Sequence, residues 1–172
     1  MIFMSYQSVI DEVYEQYQAK SKAGEPTPCN YFAQDIMRKL GEDLLAGGCT
    51  NMQDALRDGY SHWKSVSAVD AQNRANENHG TVGITYDHIV VIYPGHTAST
   101  LTEVYMSMAG SNLWNNMPIT YTWAPDRRSE IEFYSYYPTK DDSFTCDTHS
   151  TVTIQRGKKY TARRPHRNLC KS

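Results

Sequence analysis

Near residue 80 the hydrophobic spacing of this chain changes period, from the three-to-four repeat of helices to the two-residue alternation of strands. Upstream, Val9, Ile10, Val13, Tyr14 and Tyr17 form an apolar stripe behind a capping box at Ser8–Asp11. Gly24, Pro26 and Pro28 end that helix. A second helix is predicted from Cys29 to Leu40, stopped by Gly41, and a third behind Thr50–Gln53, running through Ala55, Leu56 and Trp63. Ser67 caps a fourth that carries Ala71 and Ala75. Downstream, strands are predicted at Thr81–Thr85, His88–Tyr93, Leu101–Met108, Ile119–Trp123 and Glu130–Tyr137. Helices followed by strands predict an α+β domain, an antiparallel sheet packed on a helical half.

With 172 residues, 40% of them apolar, the chain fits one domain that needs no disulfide scaffold. A single domain over 1–172 is expected, with a basic extension over about 147–172. There Arg156, Lys158, Lys159, Arg163, Arg164, Arg167 and Lys171 face one acid, Asp147. No run reaches the roughly 20 apolar residues of a membrane span, so no membrane insertion is expected. Asp11 and Glu12 arrive too early for a signal peptide, which predicts synthesis in the cytoplasm and delivery by other means. Thirteen tyrosines and three tryptophans suit a groove for a polymer.

Of the four cysteines, Cys29 opens the second helix on its apolar face, with Phe32, Ala33, Ile36 and Leu40, and Cys49 stands alone in a loop. A helix N-terminus favours thiolate, so Cys29 is the candidate nucleophile, unless it is a small core residue. His88 leads a buried strand, from which an imaginary line of sight across the sheet reaches a packed helix. It is the candidate base, unless it is a satisfied strand-end histidine. His62, His79 and His96 lie in a helical stretch or beside loop glycines and are less well placed.

A helix-start Cys followed some 60 residues later by a strand-start His is the order of papain-like hydrolases. Pro28-Cys29-Asn30-Tyr31-Phe32 resembles the motif that opens the nucleophile helix of the NlpC/P60 and CHAP amidases, and Tyr86–Ile92 is similar to their histidine strand. With the helix Ala68–Ala75, Ala109-Gly110 and Trp123–Arg128, the set looks most like the type VI secretion amidase effectors, the Tae group, closest to its first family. The resemblance covers roughly residues 5–137. One departure is Asp87, where the family usually has glycine before the histidine.

The resemblance implies a papain-like fold and a cysteine amidase that cuts an amide in the peptidoglycan stem peptide. It also implies action in the periplasm of a target bacterium and a cognate immunity protein. No cofactor and no metal are implied. The third catalytic residue falls on the strand after the histidine: Glu103 is first choice, because a carboxylate stabilises imidazolium, and Ser107 is second. The oxyanion donors are the backbone N–H of Cys29 and a neighbour. Arg127, Arg128 or the basic tail are candidates to hold substrate carboxylates.

Other readings stay open. A phage-type endolysin shares the chemistry and differs in delivery. Relatives that act on lipids run His before Cys, the reverse of the order here. Cys146-x-x-His149 and His166-x-x-x-Cys170 have zinc-like spacing, which in a basic tail suits a nucleic-acid-binding module without catalysis; the leading reading expects no nucleic-acid partner. A Cys146–Cys170 disulfide or free thiols explain the same cysteines, and Cys29 is expected to stay reduced.

Overall fold

The computed structural model describes residues 4–138. The chain divides after Tyr137, and the basic extension with Cys146, His149, His166 and Cys170 lies outside the described residues. The described part is α+β. Four α-helices, α1 (Tyr6–Lys22), α2 (Cys29–Leu40), α3 (Cys49–Arg57) and α4 (Ala68–Asn76), accompany six strands. The strands are β1 (Trp63–Val66), β2 (Thr81–Ile84), β3 (Ile89–Ile92), β4 (Tyr105–Met108), β5 (Trp114–Pro118) and β6 (Glu132–Tyr136). They form one antiparallel sheet in the order β1-β6-β2-β3-β4-β5.

Every residue of β2 and β3 is buried. Neighbouring strand residues point to opposite faces, so continuous burial means that both faces are covered here. α1 packs on α2 and β4, α2 on β3 and β4, and α4 on β2, β3 and β6. Side chains fix these seatings. The Tyr6 hydroxyl at the start of α1 donates to Ile92 O at 2.9 Å and accepts from Thr81 N at 3.2 Å. Gln72 of α4 donates to Tyr93 O at 2.8 Å and accepts from Tyr105 N at 2.9 Å.

Several local predictions change. Ser5, not Ser8, caps α1: its side chain accepts from Ser8 N. Trp63 lies in edge strand β1 rather than at the end of α3. The predicted strand from Leu101 begins as a 3-10 turn, Leu101–Glu103, and becomes strand only at Tyr105. Ile119–Tyr121 is likewise a 3-10 turn, and the strand precedes it, at Trp114–Pro118. α2 runs Cys29–Leu40 and closes on Gly41 in the left-handed conformation, φ 72°, where glycine carries no Cβ penalty.

Beyond Gly41, Glu42 folds in toward Gly80, where an added Cβ would collide with its carboxylate and lie 2.7 Å from Met37 Sδ. Its Oε2 is buried without a hydrogen-bond partner. Burial pushes the carboxyl up to about 7, with the Gly80 backbone and Arg74 opposing in part. A carboxyl raised in the folded state makes the native form bind more protons between the two pKa values. Stability from this group is therefore full below about pH 4.5 and falls as pH rises toward 7. Glu42→Gln should match the native chain near pH 4 and exceed it by about 1–3 kcal/mol at pH 8. Urea midpoints at both pH values measure this, and equal midpoints at pH 8 would show that ionised Glu42 costs nothing.

Candidate active site

Pro28 precedes α2 in an extended conformation and supplies no side-chain cap, so the first-turn N–H groups, beginning with Cys29, receive no capping side chain. Cys29 is half-buried at that turn. Across from it, the four residues between β2 and β3 close with Thr85 N donating to His88 O at 2.9 Å. That turn sets His88 immediately before β3, near enough to Cys29 to help lower its thiol. The structure thus brings Cys29 and His88 together.

It also brings a residue that the sequence reading left apart. Cys49, expected alone in a loop, opens α3 and is buried, with its Sγ 3.6 Å from Cys29 Sγ. Long-range bonds hold it there. On α2, Asn30 Nδ2 donates to Gly47 O at 2.8 Å, and Gln34 Nε2 lies 3.3 Å from Leu45 O and 3.4 Å from Gly47 O. On α3, Thr50 Oγ1 donates to Tyr86 O at 2.8 Å, which fastens the helix start to the turn carrying His88.

The Cys29 thiol is held well below the usual thiol range. The largest cause is the hydrogen bond from Cys49; burial opposes it, and His88 and the Ile89 backbone add to the lowering. The Cys49 thiol is pushed up by the same contact and by burial. The contact favours ionisation at Cys29 over Cys49, and with Cys29 ionised the Cys49 S–H is the donor.

Glu103 does not reach the histidine. Its side chain is spent on a capping box, where Oε2 accepts from Ser99 N at 2.7 Å and Thr100 N at 3.2 Å. Ser107 is buried and also engaged elsewhere, donating to Asn115 Oδ1 at 2.6 Å and accepting from Asn116 N at 3.2 Å. The residue beside His88 is Met108, with Sδ 3.4 Å from Nε2. Thr122 Oγ1 donates to the same sulfur at 3.0 Å, and Trp123 meets the imidazole edge to face at 5.5 Å. Gly110, at φ 147°, passes close by: a Cβ there would lie 3.7 Å from His88 Cε1.

Asp87 accepts from Thr85 Oγ1 at 2.9 Å and pairs in bidentate fashion with Arg127 at 3.0 and 3.1 Å. Arg127 also bonds Glu130, and Arg128 Nε donates to Trp123 O at 3.1 Å. Both arginines are therefore engaged within the chain. A cleft of about 250 Å³ opens beside His88, with Met108, Trp114, Tyr121, Trp123 and Arg127 among its walls. Among the described residues, no group of three or more His, Cys, Asp or Glu side chains is placed to hold a metal ion.

No family model matches the chain, and no curated protein is significantly similar to it.

If Cys49 sustains the Cys29 thiolate, Cys49→Ala should move the midpoint of Cys29 alkylation by iodoacetamide to higher pH. Mass spectrometry of the Cys29 peptide across a pH series reads this. An unmoved midpoint would assign the lowered thiol to His88 and the helix start alone.

Proposed function

We propose that the protein is a papain-like cysteine amidase that hydrolyses a stem-peptide amide of peptidoglycan. The observation that carries this reading is the Cys29 thiol at the first turn of α2, 3.6 Å from Cys49 Sγ and lowered by its contacts with Cys49 and His88. The six-stranded antiparallel sheet with a helix delivering the cysteine and a hairpin turn delivering the histidine supports the finer fold assignment. The substrate class comes from the motif resemblance, and the aromatic cleft beside His88 is compatible with an extended peptide.

In this mechanism the Cys29 thiolate attacks the amide carbonyl carbon. The resulting oxyanion is met by first-turn N–H groups of α2, which no side chain caps. Protonated His88 gives its proton to the departing amine, leaving a thioester on Cys29. Neutral His88 then takes a proton from water, which attacks the thioester and frees the Cys29 thiolate, with His88 protonated again. Met108 and Trp123 limit rotation of the imidazole, which makes them positioning residues.

Arg127 is less suited to a substrate carboxylate than the resemblance implied, because Asp87 already occupies its guanidinium. The biological setting carried by the resemblance is delivery into the periplasm of a rival bacterium, with an immunity protein covering the site in the producing cell.

Digestion of purified muropeptides, with products identified by mass, tests the activity. Cys29→Ala and His88→Ala should each lower the rate by about 10²–10⁴-fold, and the double variant should be no slower than the worse single one. Multiplicative losses would separate the two residues into different steps, and intact muropeptides with the native chain would reject the reading. In bacteria, expression with a periplasmic signal should cause lysis, and cytoplasmic expression should not. Equal toxicity in both compartments would point to a cytosolic target.

A further inference from the structure

The contact between Cys29 and Cys49 joins two thiols that differ in every respect relevant to exchange chemistry. One is half-exposed with its thiol lowered, the other buried with its thiol raised, and their sulfurs are 3.6 Å apart. A disulfide needs about 2.05 Å, so the sulfurs must close by about 1.5 Å. The backbone beside Cys49 is built to permit a small shift: Gly47, at φ 119°, and Gly48 directly precede it. Hydrogen bonds from the Asn30 and Gln34 side-chain amides to Gly47 O hold this loop beside α2, which keeps Cys49 near Cys29. Cys29 was expected to remain reduced because of its proposed role; the geometry points elsewhere.

We propose that Cys29 and Cys49 form a reversible disulfide by exchange with a low-molecular-weight disulfide, which closes the candidate active site until a reducing thiol reopens it. The disulfide itself follows from the cysteine geometry; only its effect on catalysis rests on the amidase reading. The Cys29 thiolate attacks one sulfur of RSSR, forming Cys29–S–S–R and releasing RS⁻. Cys49, losing its proton, then attacks the Cys29 sulfur and expels the second RS⁻, which takes up that proton. The two protein sulfurs are oxidised by two electrons, and RSSR is reduced to one thiolate and one thiol. A second thiol–disulfide exchange reverses the process, and the low pKa of Cys29 makes it a good leaving group in that direction.

The test uses the full chain with all four cysteines, treated with glutathione disulfide and mapped by peptide mass spectrometry without reduction. The expected result is a Cys29–Cys49 crosslinked peptide, loss of Cys29 alkylation by iodoacetamide, and recovery of both after dithiothreitol. Cys49→Ser should stop at a glutathione adduct on Cys29, which is direct evidence for the resolving role. A stable adduct on Cys29 in the native chain, or crosslinking of Cys29 to Cys146 or Cys170 instead, would overturn the proposal. Muropeptide hydrolysis followed on the same samples separates the two readings. Crosslinking by a chain that is inactive when reduced sinks the amidase and leaves the disulfide standing. An active chain that never crosslinks sinks the disulfide and leaves the amidase.

Discussion

Continuous burial of β2 and β3 is the constraint from which the rest of this fold follows. A strand pair buried on both faces has no solvent side, so helices must cover it twice, and its backbone groups must be met by strands on either edge. β6 and β4 take those edges. The hairpin closing the pair has little freedom left, because both of its strands are locked in register from Val82↔Val91 to Ile84↔Ile89. His88 inherits its place from that register. Its backbone carbonyl closes the turn through Thr85, so the same bond that terminates the hairpin sets His88.

The site is stabilised by soft and indirect contacts where a carboxylate was expected. A carboxylate on the imidazole would fix the ring and stabilise its charged form. Met108 sulfur is a weak acceptor and does the first of these more than the second. The support falls on the other partner: the contact with Cys49 lowers the Cys29 thiol, so ionisation is favoured at the sulfur. Thr122 completes the arrangement by donating to Met108 Sδ, which orients the thioether that meets His88.

Much of this was legible in the sequence, and the misses have identifiable causes. α2 was readable to the residue because its apolar stripe ends on a glycine that the left-handed C-cap requires. Alternation placed Ser107 and Met108 on opposite faces of β4, but it does not hold at Glu103, which lies in the 3-10 turn Leu101–Glu103 ahead of the strand. The choice of face followed side-chain chemistry, and the face that meets His88 is the one carrying the thioether. A short local bond also intervened, since Glu103 caps its own turn before the strand begins. β1 was missed because four residues with one buried side chain, Trp63, look like the tail of the preceding helix. β5 was hidden by Asn116 at φ 55° and by the Pro118 that ends it. Cys49 was unreadable for a deeper reason: what brings it to Cys29 is a set of side-chain bonds to loop carbonyls, which leave no periodic trace.

Asp87, the departure from the motif, is explained by the charge it meets. At the glycine position of the motif a side chain must leave the turn without disturbing His88, and Asp87 does so by accepting from Thr85 and pairing with Arg127. Arg127 in turn draws in Glu130, so one guanidinium is shared between two carboxylates. This network ties the turn before β3 to the segment before β6 and walls one side of the cleft. Its partly exposed ion pairs add little stability by themselves. Their effect is positional: they hold the rim of the cleft relative to the hairpin turn, and they remove a free cation from the side of the site where an anionic substrate group would otherwise be drawn. The aromatic side chains on the cleft wall include Trp114 and Tyr121, whose rings meet edge to face at 5.6 Å beside His88.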